Sequence, residues 1–153
     1  MSIDLSRMYH IGMAVADFDQ GCEQIGAALC LDWLPAKTFD PLPFWTPEEG
    51  LQEISVKATY SKQGPQRIEI VQGNSIFYDP ERLPDSRHIG VWVDDLVSEA
   101  GRLIENGWNV LAAGDTPSSG FGTIAYLSPP FPGLVVELVS IELEPMMNHW
   151  FSE

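Results

Sequence analysis

Tyr9-His10-Ile11-Gly12 and Arg87-His88-Ile89-Gly90 are two near-identical tetrads, and their recurrence decides the fold of this 153-residue chain. Each tetrad is followed downstream by a glutamate among branched aliphatic residues, in the stretches Arg67-Ile68-Glu69-Ile70-Val71 and Val135-Val136-Glu137-Leu138-Val139. The two histidines are 78 positions apart. The second copy is about ten residues shorter between its helix and its last strand, where connecting segments tolerate deletion. The pattern indicates a duplicated unit.

The same local signals occur in both halves. Residues 8–16 alternate as in a β-strand, Asp17 is a helix cap with Gln20 three positions on, and apolar residues then recur at helical spacing. In the second half, residues 86–94 predict a strand, Asp95 the cap and Gly107 the end of the helix. Three further strands are predicted in each half, over 31–37, 51–60 and 66–72, and over 108–113, 121–127 and 134–141.

Each half is therefore a predicted βαβββ module, and the predicted fold class is α+β. A single domain is expected, because 153 residues with 44% apolar content are sufficient for one packed core. Module 1 covers 7–73, a linker with two prolines covers 74–85, module 2 covers 86–141, and a C-terminal tail covers 142–153.

The charge balance excludes two classes of partner. Eight Lys and Arg residues stand against 22 Asp and Glu residues, for a formal net charge of -14, which repels nucleic acid and anionic membrane surfaces. The sequence shows no signal peptide and no apolar run of membrane-spanning length, so a cytoplasmic protein is expected. Cys22 and Cys30 have no metal-ligand spacing around them and are predicted to be buried free thiols.

Residues 39–50 hold aromatic side chains among prolines: Pro41, Pro43, Phe44, Trp45 and Pro47. The composition predicts a stiff loop. Two interpretations of it are equally compatible with the sequence: a lid that roofs a pocket, or a loop that packs flat on the core.

Glu69 and Glu137 point to a metal site. Their neighbours on both sides are branched aliphatics, a pattern typical of strands buried on both faces, where an ionised carboxylate is costly unless it is paired or bound to a metal. Arg67 is the basic residue that lies near these carboxylates in sequence, and it cannot obviously serve both. A divalent cation can compensate both at once. The repeat therefore predicts one metal site shared by two halves, with the ligands His10, Glu69, His88 and Glu137.

These residues give the chain a resemblance to the vicinal oxygen chelate superfamily, which includes glyoxalases, methylmalonyl-CoA epimerases, extradiol dioxygenases and antibiotic-resistance proteins. The resemblance covers nearly all of residues 7–141. It implies that paired βαβββ modules form a curved mixed sheet around a metal-binding cavity, with ligands on the first and last strands of each module. Those positions are occupied here by His10, Glu69, His88 and Glu137. The fourth ligand, Glu69, favours acid-base chemistry over the oxygen activation of the dioxygenases.

Locally, the chain resembles methylmalonyl-CoA epimerase most. The segment 47–54 is similar to the epimerase segment whose catalytic glutamate follows a glycine by three residues, which implies that Glu53 is a catalytic base. Residues 87–95 and 120–123 are similar to two further epimerase segments. Glu53 shares a predicted strand face with Ser55 and Lys57, so a solvated polar face is the alternative interpretation. Asp17 and Asp95 are better explained as helix caps, and His149 as a packing or tail residue.

The sequence thus predicts a metal-dependent epimerase or isomerase that moves a proton α to the carbonyl or thioester of a small acyl substrate. One alternative is a glyoxalase-type lyase acting on a thiol adduct, in which metal-bound Glu137 or Glu69 takes the proton. The other is a non-catalytic, ligand-sequestering protein like the resistance members.

Two properties, the metal and the substrate, are not specified by the sequence. Two imidazoles and two carboxylates suit Zn, Co, Ni, Mn or Mg, so the divalent ion is not specified. The scarcity of Lys and Arg conflicts with the phosphates of coenzyme A, so a smaller or more hydrophobic carbonyl substrate is an alternative to a coenzyme A thioester. A homodimer is expected, because members of the resembled superfamily commonly pair.

Overall fold

The computed structural model describes residues 3–81 and 87–153 and has the predicted α+β composition. Three α-helices are present in these ranges: α1 (Phe18–Leu29), α2 (Leu96–Glu105) and α3 (Glu144–Phe151). The eight strands are β1 (Met8–Ala14), β2 (Lys37–Thr46), β3 (Gly50–Tyr60), β4 (Arg67–Gly73), β5 (His88–Val93), β6 (Asn109–Ala113), β7 (Ile124–Ser128) and β8 (Val136–Ser140). No helix in the described ranges is long and apolar enough to cross a membrane.

The eight strands form one closed mixed sheet in the order β1-β4-β3-β2-β6-β7-β8-β5. Within each half the first strand pairs parallel with the last, β1 with β4 and β5 with β8, and the other neighbours are antiparallel. The halves join twice, where β1 meets β5 and where β2 meets β6. This arrangement confirms the prediction of two βαβββ modules in one curved sheet.

Helices α1 and α2 begin where the sequence predicted, because aspartates satisfy their first backbone N–H groups. The Asp17 carboxylate accepts from the Gln20 N–H, and the Asp95 carboxylate accepts from the Ser98 N–H. After α2, Gly107 has φ of 88°, a backbone conformation that glycine adopts without strain. The cap assignments of both aspartates are confirmed.

The strand predicted over 31–37 is wrong, and so is the loop predicted over 39–50. Residues 31–36 contain a single isolated bridge, from Trp33 to Ser61, whereas β2 occupies residues 37–46. The prolines of residues 39–50 led to the prediction of a loop, because proline cannot donate a hydrogen bond to a neighbouring strand. The prolines are tolerated because β2 pairs along its length with β3 but meets β6 only through Trp45 and Ala113, so one edge needs few donors. A β-bulge lies between Phe39 and Leu42.

The cysteine prediction is correct for the oxidation state and wrong for the burial. Both thiols are free, but Cys22 is half-buried and Cys30 is exposed. Cys30 is the C-cap of α1 and has φ of 55°, so it lies where the helix ends and the chain turns outward. Burial in α1 raises the pKa of the Cys22 thiol.

The C-terminal segment 142–153, predicted as a tail, is an element of the core. Residues Ile141–Leu143 form a 3₁₀ turn that leads into α3, and Trp150 on α3 is 1% exposed inside the barrel cluster. The Trp150 indole N–H donates to the Pro35 carbonyl at 2.9 Å. Helix α3 therefore covers one end of the barrel.

The linker predicted over 74–85 is also partly ordered core. Phe77 and Tyr78 lie in a 3₁₀ turn and are buried in the same cluster as Trp150. Residues 82–85 of that linker, and Ser86 at the start of module 2, lie outside the described residues.

We expect Trp150→Ala to lower the free energy of unfolding by about 3–5 kcal/mol, since it empties a large buried volume and leaves the Pro35 carbonyl without its donor. Urea denaturation measures this change. Phe131→Ala is the control, because Phe131 is 64% exposed and its truncation should change stability by no more than about 0.5 kcal/mol. Equal midpoints for the two variants would show that α3 does not close the barrel.

Candidate metal centre and adjoining cavity

The four predicted ligands lie at the seam where β1 meets β5. Gly12 on β1 is the cross-strand partner of His88 on one side and of Glu69 on the other. Gly90 on β5 is in the same way the partner of His10 and Glu137. Two rows of three residues therefore cross strands β4, β1, β5 and β8, and each row contains one histidine, one glycine and one glutamate.

The glycines of the tetrads are a consequence of this packing. A Cβ atom on Gly90 would collide with the ring of His10, and one on Gly12 would collide with the ring of His88. The same Gly12 Cβ would also lie 2.6 Å from Oε1 of Glu69. Each tetrad thus supplies a histidine and also the free space that the other tetrad's histidine occupies.

The four side chains converge on one point inside the barrel. His10 Nε2 lies 3.0 Å from His88 Nε2 and 3.0 Å from Glu137 Oε1. His88 Nε2 lies 3.2 Å from Glu69 Oε1. The two remaining histidine-to-glutamate distances are both 3.8 Å.

Burial makes this cluster costly without a partner. His10 is 0% exposed and the other three residues are at most 7% exposed. Two of the buried polar atoms, Nδ1 of His10 and Oε1 of Glu69, have no hydrogen-bond partner. Buried polar atoms that lack partners are uncommon in folded proteins. An ion at the point of convergence would give Oε1 of Glu69 a partner, whereas Nδ1 of His10 is not one of the converging atoms.

A divalent cation fits these residues. Two donor atoms that each lie about 2.1 Å from one ion are about 3.0 Å apart at the right angle of an octahedral site and about 3.4 Å apart at a tetrahedral angle. The two Nε2 atoms are 3.0 Å apart. Donor atoms of His10, Glu69 and His88 all lie within 4.8 Å of one another. Glu137 falls outside that mutual limit, but its Oε1 atom is adjacent to His10 Nε2. We include Glu137 because it reaches both histidines from the side opposite Glu69.

The two glutamates differ in the hydrogen bonds that they receive from tyrosines. Tyr60 and Tyr126 are equivalent in the repeat, since each is the cross-strand partner of its module's glutamate. The Tyr60 hydroxyl donates to Oε2 of Glu69 at 2.6 Å. The Tyr126 hydroxyl instead lies 3.0 Å from the hydroxyl of Tyr78, which comes from the segment between the modules. Within the described ranges, Glu137 therefore contacts the two histidines and receives no tyrosine hydrogen bond.

The electrostatics of the cluster favour an ionised Glu69 and neutral phenols. Burial by itself opposes ionisation of Glu69, but His10, His88 and Tyr60 outweigh it and lower its pKa from 4.5 to about 2. Burial, with the charges of nearby carboxylates, raises the pKa of Tyr60, Tyr78 and Tyr126 well above the ordinary value of 10. These tyrosines are hydrogen-bond donors at neutral pH.

A cavity of about 300 Å³ adjoins the cluster inside the barrel. The carboxylates of Glu69 and Glu137 line it, together with the hydroxyl-bearing rings of Tyr60, Tyr78 and Tyr126. The rest of the wall is mostly apolar, apart from the hydroxyl-bearing Tyr9 and Thr123, and comes largely from β1 to β4, β7, β8 and α3. Phe39 and Leu42, from the segment predicted as a loop, line this cavity as residues of strand β2.

The structure does not bring Glu53 to this cluster. Glu53 is exposed, and it alternates on β3 with Ile54 and Val56, which are buried in the barrel core. Its side chain therefore belongs to the outer face, with Ser55 and Lys57, as the alternative interpretation had it. His149 is exposed on α3 and lies outside the cluster.

Sequence reasoning missed Gly12, Gly90, Tyr60, Tyr126 and the roofing role of α3. The glycines had a signal, because each follows its histidine by two positions in both tetrads. The tyrosines had none, since their partnership with the glutamates depends on the register of β3 on β4 and of β7 on β8.

No protein-family model and no curated protein sequence matches the chain. Solved structures do match. A hypothetical protein from Bacillus halodurans aligns with a TM-score of 0.56 and 20% identity, over 87% of this chain and 92% of that one. A variant of Streptomyces coelicolor methylmalonyl-CoA epimerase aligns with a TM-score of 0.55 and 19% identity, over 91% and 95%. The chain has the vicinal oxygen chelate fold.

Methylmalonyl-CoA epimerase from Mycobacterium tuberculosis shares this fold with a TM-score of 0.53 and 17% identity, over 92% of this chain and 91% of that one. At such identities the likeness concerns the fold. A function for a chain with this fold must be argued from the site itself.

We expect His88→Ala to lose bound metal and, with it, the stabilisation that metal gives. Binding to the folded state raises stability by mass action, by about 2.7 kcal/mol at a hundredfold excess over Kd. The measurement is the rise in Tm on adding Zn²⁺, with metal content determined by mass spectrometry. His149→Ala is the control, because this exposed histidine should leave both values unchanged. An undiminished response in His88→Ala would rule out His88 as a ligand.

Gly90→Ala should weaken metal binding although no ligand is changed, because the new Cβ occupies the space of the His10 ring. We expect a loss of affinity of about 10- to 100-fold, as for other changes next to a ligand. Titration against a chelator gives the affinity. The matched control is Gly101→Ala on α2, where an added Cβ meets nothing within 4 Å and should raise stability by about 0.5–1 kcal/mol. Equal affinities in the two variants would contradict the packing argument.

Proposed function

We propose that this chain is a metal-dependent enzyme that moves a proton α to a carbonyl group, as an epimerase or isomerase of a small acyl substrate. The observation that carries the proposal is the convergence of His10, His88, Glu69 and Glu137 at a cavity that both carboxylates line. The fold and the enzymes that share it are consistent with this chemistry.

Removal of an α-proton needs a base and a positive partner for the enolate oxygen. A divalent ion held by His10, His88, Glu69 and Glu137 would supply the positive charge. The four residues are buried, and the mostly apolar wall beside them lowers the local polarity, which strengthens electrostatic interactions there.

We assign the base to Glu137. The second oxygen of Glu69 is engaged by the Tyr60 hydroxyl, which stabilises the ionised form and makes that carboxylate a weaker base. Glu137 lines the cavity without a tyrosine hydrogen bond, because Tyr78 holds the hydroxyl of the equivalent Tyr126. Glu53, the other candidate, is exposed on the outer face of β3.

The structural neighbours support the choice of reaction class. Among them is a methylmalonyl-CoA epimerase in complex with methylmalonyl-CoA, with a TM-score of 0.55 and 20% identity. That epimerase acts on an acyl substrate in the same fold, so an acyl or carbonyl compound is the partner that we propose here. A cytoplasmic location and a homodimer stay predictions.

We expect Glu137→Gln to slow α-proton exchange by about 10² to 10⁴, since the amide cannot accept the proton. The measurement is deuterium incorporation from D₂O into methylmalonyl-CoA and into carrier-free 2-oxo acids and ketones, with metal content determined for each sample. Glu53→Gln is the matched control and should leave exchange within a small factor. Both variants remove one carboxylate and add one amide.

A strong loss in Glu53→Gln, together with unaltered exchange in Glu137→Gln, would move the base to the outer face of β3. No exchange in the metal-loaded wild type with any of these compounds would contradict the epimerase and favour the glyoxalase-type lyase or the ligand-sequestering protein.

A further inference from the structure

The cavity beside the metal ligands has a polar floor and an apolar rim. At its buried end lie the carboxylates of Glu69 and Glu137. At its accessible end lie partly exposed apolar side chains, including Leu42 on β2, Ile124 on β7 and Met146 on α3. A ligand that fills this space would reach the metal centre with an oxygen-bearing end and leave an apolar part between these three elements.

Positive charge is absent from this wall as far as the structure describes the chain. No lysine or arginine of residues 3–81 and 87–153 lines the cavity. Lys37 pairs with Glu153 and lies over the Trp150 ring, and Arg67 lies over the Phe151 ring. These two cations hold α3 in place. Recognition of phosphate usually requires arginine, lysine or a row of backbone N–H groups, and the cavity presents apolar side chains instead.

One polar group in the cavity is suited to a neutral oxygen. Tyr78 and Tyr126 share a single hydroxyl-to-hydroxyl hydrogen bond of 3.0 Å. One hydroxyl donates and the other accepts, so the accepting hydroxyl keeps a hydrogen that no described residue takes up. Both rings line the cavity. A carbonyl oxygen of a ligand can accept this hydrogen.

Helix α3 limits the size of the ligand. Met146, Met147 and Trp150 form part of the wall, and Trp150 is fixed by its hydrogen bond to the Pro35 carbonyl. The cavity has a volume of about 300 Å³ and opens to solvent, and this volume is at the lower end of the range for small-molecule sites.

From these observations we infer that the substrate is a small, mostly apolar carbonyl compound, such as an aryl or branched alkyl keto compound, that carries no phosphorylated coenzyme. The inference rests on the proposed function for the role of the metal. It goes further in two respects. The apolar part of the substrate binds at the rim of the cavity, next to Met146, and no part of the protein recognises a coenzyme A group.

Equilibrium binding to Zn²⁺-loaded protein tests this without turnover. Benzohydroxamic acid and acetohydroxamic acid present the same two oxygens to a metal and differ in the phenyl group. We expect benzohydroxamic acid to bind at least tenfold more tightly, measured by calorimetry. Acetophenone and acetone, compared by NMR line broadening with metal-free protein, give the same comparison when no metal is bound.

Two variants test whether the preference for the aromatic probe originates at the rim of the cavity. Met146→Glu places a charge on the rim, on a helical residue that is 46% exposed. Val97→Glu makes the same change on α2, at a residue 55% exposed that lies outside the cavity. We expect Met146→Glu to reduce the preference for the aromatic probe at least fivefold and Val97→Glu to leave it unchanged, with both variants folded by circular dichroism.

Competition binding tests whether the protein recognises the coenzyme A part of a thioester. Propionyl-CoA and the truncated thioester S-propionyl-N-acetylcysteamine should displace benzohydroxamic acid with Kd values within threefold of each other. A tenfold advantage of propionyl-CoA, or equal binding of the aromatic and methyl probes, would overturn the inference. These binding results do not depend on whether the protein exchanges α-protons. A preference for the aromatic probe can be found in a protein without exchange activity, and its absence can be found in an active enzyme. Failure of the inference is thereby separate from failure of the proposed function.

Discussion

Two carboxylates and two imidazoles buried at one point form the constraint on which the rest of the structure depends. The cost of desolvating Glu69 and Glu137 is large unless positive charge or donors surround them. Here the two histidine rings lie between them, at 3.0 to 3.8 Å. The seam between β1 and β5 must be free of Cβ atoms to admit these rings, which explains Gly12 and Gly90. The repeated tetrads are the sequence record of this packing.

The duplication gives the site its two histidines and two glutamates, and a departure from the duplication makes the surroundings of the two glutamates different. Tyr60 and Tyr126 occupy equivalent positions, yet only Tyr60 donates to its glutamate. The difference originates in Tyr78, which belongs to neither repeat and enters the barrel from the segment between them. Two equivalent carboxylates thereby differ in their surroundings, since a tyrosine hydroxyl donates to Glu69 and none donates to Glu137, and the separate roles that we propose for them rest on this difference.

The elements outside the repeat also shape the cavity. Strand β2 brings Phe39 and Leu42 to its rim, and helix α3 brings Met146 and Trp150. Neither element was predicted as such. The prolines of β2 obscured its alternation, and their tolerance depends on an edge that is almost unpaired. Helix α3 has too few apolar residues for the sequence to predict its burial. That burial depends on the barrel residues against which the helix packs.

The sequence by itself predicted the two modules, the capping aspartates and the grouping of two histidines with two glutamates, because each depends on a local signal or on a spacing that the repeat makes visible twice. It could not determine which face Glu53 takes, since a shift of one residue in a strand moves a side chain to the opposite face. Only the tertiary structure decided that Ile54 faces inward, that Tyr78 holds Tyr126, and that α3 closes the cavity. Those outcomes arise from contacts between segments that lie far apart in the chain, whose register and docking are set by packing as a whole.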